Sequence, residues 1–213
     1  MTSARAEILE RVRATNDATA SLTPTPRDYR QADERSRDEL VALFCERLRD
    51  YNANVQYVRL PDVPGAIGAA ASRHRARRIV IPAQIPNEWR PPELELIPDE
   101  SLTPHELDQL DGVITGCTVA IAETGTIALS AGPHEGRRLL TLVPDMHICV
   151  VRAEQIVATV PEAMAQLGPV VRESRRPVTL ISGPSATSDI ELQRVEGVHG
   201  PRKLIVVVIQ ERA

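Results

Sequence analysis

Hydrophobic and polar positions divide the chain into a helical opening and a longer stretch where β-like and helical patterns alternate. In residues 3–16, Ile8, Leu9 and Val12 fall on one face and Glu and Arg occupy the others, which predicts an amphipathic helix. NDATASLTPTPRDYRQ then loses the periodicity, and its two X-Pro steps resist helix, so residues 17–35 read as a linker. Ser36-Arg37-Asp38-Glu39 has the spacing of a capping box, followed by the stripe Leu40, Leu43, Phe44 and Leu48 of a second helix. The reading is therefore an N-terminal arm and linker over 1–35 and a main domain over 36–213. Because the linker separates it from the core, the arm is expected to pack on another chain or partner.

After Asp50 the pattern becomes strand (Val55 to Leu60), helix (Ile67 to Ala76) and strand (Arg78 to Ile81). Residues 82–104 are proline-rich and read as a connection. Thr103-Pro104-His105-Glu106 supplies an N-cap, a proline at the first helical position and a capping glutamate. Strand-like runs follow at 112–115, 118–131, 139–143 and 147–151, then a helix near 161–167 and strands at 178–181 and 204–209. The alternation predicts an α/β domain with a mixed or mostly parallel sheet flanked by helices. LIVVVI, apolar throughout, predicts a central strand buried on both faces.

Two stretches break from apolar runs into Gly, Ser, Thr and a carboxylate: DGVITGCTVAIAETGTIALSA (Asp111 to Ala131) and ISGPSATSDIE (Ile181 to Glu191). Loops at strand ends free N–H groups and hydroxyls for a ligand, so a small-molecule or anion site is expected there. In the second stretch Ser182, Gly183, Ser185, Thr187, Ser188 and Asp189 are candidate binding residues. Ser188 with Glu191 reads as the capping box of a short helix that Gly197 would stop. An anion would sit on the hydroxyls and the helix N-terminus; the plainer alternative is that the hydroxyls only cap the helix. Thr187 is assigned to ligand contact and Asp189 to shaping the loop. No Walker or dinucleotide fingerprint is present.

In the first stretch, Gly116, Thr124, Gly125 and Thr126 join the candidate site. Glu123 between VAIA and IALSA is a candidate catalytic carboxylate, as a base with raised pKa or a nucleophile on an acyl group. Glu123-Thr124-Gly125 is equally a hairpin turn, with the glycine supplying a positive φ. Asp145 and His147, in PDMH between two β runs, add an acid and an imidazole. They lack H-x-x-x-H or HExxH spacing, so no metal site is expected. Cys117 has no adjacent histidine and reads as a small buried residue.

Composition narrows the classes. At 213 residues the chain has ample length for a core, and 42% hydrophobic content argues against disorder. Aromatic residues amount to 2% and all precede residue 90, so aliphatic side chains must fill the later core. With a net charge of −4 and no later aromatic platform, nucleic-acid binding is not expected. Three isolated cysteines support neither a disulfide framework nor a metal cluster held by this chain alone. MTSARAEILERVRA lacks the apolar core of a signal peptide, and no run approaches the roughly 20 apolar residues of a membrane span, so a cytoplasmic home is expected.

GCTVAIAETGTIAL, VPDMHICVV and SGPSATSDIE followed by HGPRKLIVVVI resemble the lactate-utilisation protein C family, the LUD domain, over roughly residues 36–213. The resemblance implies a fold similar to the ribose-5-phosphate isomerase and CoA-transferase-like superfamily. It also implies an accessory, non-redox role in bacterial oxidation of L-lactate to pyruvate, beside iron–sulfur partner proteins. No flavin, haem or iron–sulfur cluster is expected in this chain, and a homo-oligomer is left open. CoA-transferase relatives use a glutamate in an E-x-G setting, which Glu123-Thr124-Gly125 resembles in shape. The alternative it implies is a stand-alone enzyme on a CoA thioester, sugar phosphate or folate.

Overall fold

The structure, a computed structural model, describes residues 3–16, 26, 28–187, 195–197 and 199–210. It divides into two compact units, residues 1–30 and 31–213. The first contains helix α1 (Ala4–Asn16), whose Ile8, Leu9 and Val12 are exposed and whose Glu7 and Arg11 form an ion pair at 2.7 Å.

The second unit begins with α2 (Arg37–Asp50), closed at its N-terminus by the Ser36–Glu39 capping box. It continues through β1 (Asn54–Val58), α3 (Val63–Arg73), β2 (Arg78–Ile81) and β3 (Glu95–Pro98). Next come α4 (Pro104–Asp108), with the Thr103–Glu106 capping box, and β4 (Gly112–Thr115). The short strands β5 (Val119–Ile121) and β6 (Thr126–Leu129) precede β7 (Met146–Arg152) and β8 (Ile156–Val157). After α5 (Val160–Ser174) the chain forms β9 (Thr179–Ile181), β10 (Ala186–Thr187), β11 (Val195–Glu196) and β12 (Lys203–Ile209).

Six strands form a wholly parallel sheet in the order β1-β12-β7-β4-β2-β3. β12 lies inside it, between β1 and β7, and its apolar run divides by the period of two. Leu204, Val206 and Val208 join the core shared with α2, while Ile205, Val207 and Ile209 join the core under α3. β7 divides the same way: Ile148 and Val150 lie with α3, and Cys149 and Val151 on the opposite side. A smaller mixed sheet, β8-β5-β6-β9, packs its Ala120 and Ile127 into the core shared with α2 and its Val119 and Ile121 against α5.

Several sequence expectations are corrected. Residues 118–131 are not one strand but the β5–β6 hairpin, with Gly125 at φ 57°. The run 139–143 is no strand: Arg138–Thr141 forms a 3-10 turn that buries Leu140 among Val80, Leu107, Leu110 and Val113. The proline-rich connection contains β3, an edge strand whose last residue, Pro98, loses little by lacking an N–H. α5 continues through Pro169 to Ser174, beyond the expected 161–167. Finally, Ala186–Thr187 pairs antiparallel with Val195–Glu196, so Gly197 (φ 80°) follows a strand rather than stopping a helix. The proposed capping box of Ser188 and Glu191 lies outside the described residues.

Candidate functional site

His147 is the second residue of β7. The strand alternation turns its side chain to the same side as Cys149, and the residue is fully buried. The β4–β7 register places Val113 opposite His147 and Thr115 opposite Cys149. From there Thr115 Oγ1, also fully buried, lies 2.7 Å from His147 Nε2. The other ring nitrogen, Nδ1, has no hydrogen-bond partner among the described residues. A buried imidazole nitrogen without a partner loses the free energy of a hydrogen bond to water, so it is an unusual feature of a folded core.

His147 borders a cavity of about 280 Å³. Ser182, Gly183 and Ser185, on the loop leaving β9, form one wall; His199 and Gly200, on the segment entering β12, form another. Thr141, Leu142 and Leu204 complete much of the remainder. The Ser185 N–H donates to Pro201 O at 2.9 Å, and Ser185 Oγ accepts from the His199 N–H at 3.0 Å, tying the two walls together. Ser182 Oγ lies 2.7 Å from Thr126 Oγ1, which lies 2.7 Å from Thr124 Oγ1, so a line of hydroxyls runs from the β5–β6 hairpin to the cavity. Among the described residues, no Arg, Lys, Asp or Glu lines the cavity.

The cavity therefore gathers His147, Ser182, Gly183 and Ser185 and reaches Thr124 and Thr126 through hydroxyls. It sits at the amino ends of β7 and β12, not at the carboxyl edge of the parallel sheet where α/β crevices are usually sought. Gly116 lies further along that sheet: its N–H donates to His134 O at 2.7 Å, and a Cβ added to it would lie 3.4 Å from the Trp89 ring. Asp145 does not line the cavity. It binds Arg202 (2.5 Å) and Lys203 (3.1 Å); burial pushes its carboxyl up, but these two cations outweigh burial and hold it below the usual range.

Glu123 occupies a separate hollow with Arg35, Leu43 and Arg47, and its carboxylate lies 3.8 Å from the Arg35 guanidinium. Of the remaining candidates, Thr187 stands in β10 opposite Val195, and Ser188 and Asp189 lie outside the described residues. Sequence reasoning passed over Thr115, Thr141, His199 and Gly200. The only signal for the last two was HGP just before the terminal strand, while nothing local ties Thr115 to His147, 32 residues away.

Behind His147, Cys117 and Cys149 are both buried on the α2 side of the sheet. The neighbouring Cys117 thiol draws Cys149 down to about 6; burial opposes this, and His147 and Thr115 add to the lowering. The same contact and burial push Cys117 well up. Although His147 lies beside Cys149, no hydrogen bond of normal geometry joins Nδ1 to the sulfur.

Residues 94–209 match the LUD domain family. The chain belongs to that family. Every residue lining the cavity lies within the matched span of this LUD domain. Over 175 residues the chain is 51% identical to a Lactate utilization protein C from Deinococcus radiodurans, covering 82% of this chain and 81% of that one. A Lactate utilization protein C from Halalkalibacterium halodurans is 25% identical over 198 residues, covering 84% and 83% of the two chains. The crystal structure of a DUF162 family protein from Deinococcus radiodurans superposes with a TM-score of 0.73 at 44% identity, over 83% of this chain and 100% of that one. Among the described residues, no helix is long and apolar enough to cross a membrane, and no three His, Cys, Asp or Glu residues are grouped to hold a metal ion.

Proposed function

We propose that this LUD-domain protein serves lactate utilisation as a non-redox accessory subunit beside iron–sulfur proteins that oxidise L-lactate to pyruvate, and that it holds a small anion in the cavity at Ser182–Ser185. The role in lactate utilisation rests on the relatives that carry that name. The small-anion site rests on one observation, the hydroxyl-lined cavity bordered by a buried imidazole whose Nδ1 has no partner among the described residues. Hydroxyls and an imidazole N–H donate hydrogen bonds to an anion without needing a metal. Three cysteines are also fewer than the four thiolates common to iron–sulfur clusters, which supports assigning electron transfer to partners.

The test is affinity capture of the tagged full chain from cells grown on L-lactate, followed by native mass spectrometry. Co-purified iron–sulfur proteins are the expected result. If the purified chain alone oxidises L-lactate with an artificial electron acceptor, the accessory role is wrong.

A further inference from the structure

We propose that a hollow at the carboxyl edge of the parallel sheet is a second binding site, separate from the cavity at Ser182–Ser185, and that it takes the phosphate group of a small molecule on Arg137 and Arg176.

Topology opens the hollow. β2 and β4 are neighbours, but the chain leaving β2 goes to β3 on one side and the chain leaving β4 goes to β7 on the other. Connections that diverge in this way leave a crevice at the carboxyl ends of the strands. Gln84 after β2, and Asp99 and Ser101 after β3, line a hollow of about 510 Å³ there. The 131–137 loop faces them. It is held over the end of β4 by the Gly116 N–H, and His134 Nδ1 lies 2.8 Å from Gln84 O. Behind the loop, the buried Glu135 carboxylate accepts from the N–H groups of Ser130 (2.5 Å) and Gly132 (3.0 Å), so this wall is fixed without a ligand. Ser101 (φ 71°) and Ala131 (φ 55°), both on the hollow, hold the left-handed backbone that is costly outside glycine and that collects at binding sites.

The donors decide the ligand class. The Asp99 side chain, 8% exposed, accepts from Arg137 Nε at 2.6 Å and from Nη2 at 2.7 Å, and Nη2 also donates to Leu102 O. This fork fixes the guanidinium plane and leaves both Nη1–H donors over. Among the described residues Nη1 is neither hydrogen-bonded nor buried, so those donors are open to solvent. Arg176, an exposed residue, donates through Nη1 to Ala131 O at 3.1 Å, and its Nε and Nη2 edge has no partner among the described residues. Two guanidiniums against the one carboxylate of Asp99 leave the described lining net positive. A carboxylate fills its two oxygens on a single guanidinium edge, whereas the three terminal oxygens and second charge of a phosphate use two.

The experiment is titration of the full chain with inorganic phosphate and, separately, with acetate, at constant ionic strength, followed by the backbone amide resonances. Phosphate should shift Ser101, Gly132 and Gly136 saturably, and acetate should bind at least about tenfold more weakly. Arg137→Gln would strand the buried Asp99 carboxylate, so Arg176 is the residue to change. Arg176→Gln should lose about tenfold or more in phosphate affinity, the worth of one charge-assisted hydrogen bond. Arg138→Gln, which removes a neighbouring exposed cation that does not line the hollow, should change it less than about twofold. No saturable shift at the three amides would overturn the site. Shifts confined to Gly183 and Ser185 would do the same while leaving the anion cavity proposed above in place. An equal loss in the Arg176 and Arg138 variants would reduce the binding to general surface charge. Acetate binding as tightly as phosphate would overturn the ligand class.

Discussion

At the β5–β6 hairpin, Thr124, Gly125 and Thr126 turn the chain beside Glu123; at the end of β9, Ser182, Gly183 and Ser185 turn it beside Pro184. Both loops press a glycine of positive φ against the C-terminal end of α2. A Cβ on Gly125 (φ 57°) would lie 2.8 Å from Arg47 Cβ, and one on Gly183 (φ 101°) would lie 2.7 Å from Tyr51 Cβ. The difference lies in what closes over each loop. The hairpin is roofed by α2, and its carboxylate faces the Arg35 guanidinium across a shallow hollow. The β9 loop is held off the sheet by the 199–201 segment, which leaves a cavity with a buried histidine behind it. Loops rich in hydroxyls and glycine mark where the chain turns. Whether they bind depends on whether a neighbouring element fills the space.

If α2 closes the hairpin as described, Gly125→Ala should cost about 2–4 kcal/mol in urea unfolding, combining the left-handed backbone with the clash against Arg47. A neutral result would mean that α2 does not seat there. Thr126→Val cuts the hydroxyl line between the two loops and should cost about 1 kcal/mol of stability while weakening anion binding through Ser182. Loss of stability with unchanged binding would separate the loops functionally.

Acid offers a third probe, since Asp145 sits just before β7 and its two cations open β12. Its folded pKa lies below the ordinary 3.8, so its contribution to stability is fully present above that value and is lost as the pH falls through the lower, folded one. The carboxylate is partly exposed, so the effect should be below about 1 kcal/mol. Unfolding of Asp145→Asn should converge on wild type near pH 2–3 and fall below it at neutral pH; parallel curves would count against the pairing. The smallest effect is expected at Glu123→Gln: its ion pair with Arg35 is long and partly exposed, so stability should move by about 0.5 kcal/mol or less. Anion affinity in the cavity should be unchanged, and a large drop would move the binding site to the hairpin.

Features set by neighbours in sequence were legible. The capping boxes at Ser36–Glu39 and Thr103–Glu106, the turn at Gly125 and the buried strand β12 all follow from contacts within a few residues or from apolarity on both faces. The 138–141 turn was misread because two adjacent leucines suit a strand or a turn equally, and only the hole beside Val80 and Leu107 decides between them. His147, Ser182, Gly183 and Ser185 could be named as candidates, since polar groups at strand ends stand out. Their partners could not.

Sequence by itself determined the class of fold, the helix starts and the positions of the two polar loops, because capping, turn geometry and apolar period act over short spans. Only the tertiary structure decided that Thr115 meets His147, that His199 and Ser185 bridge two walls, and that Glu123 belongs to another hollow. Those relations depend on the parallel register of β4 with β7 and on which face each strand turns to α2. Register is settled by the packing of the whole sheet, where a slip of one residue would exchange every buried side chain for its opposite.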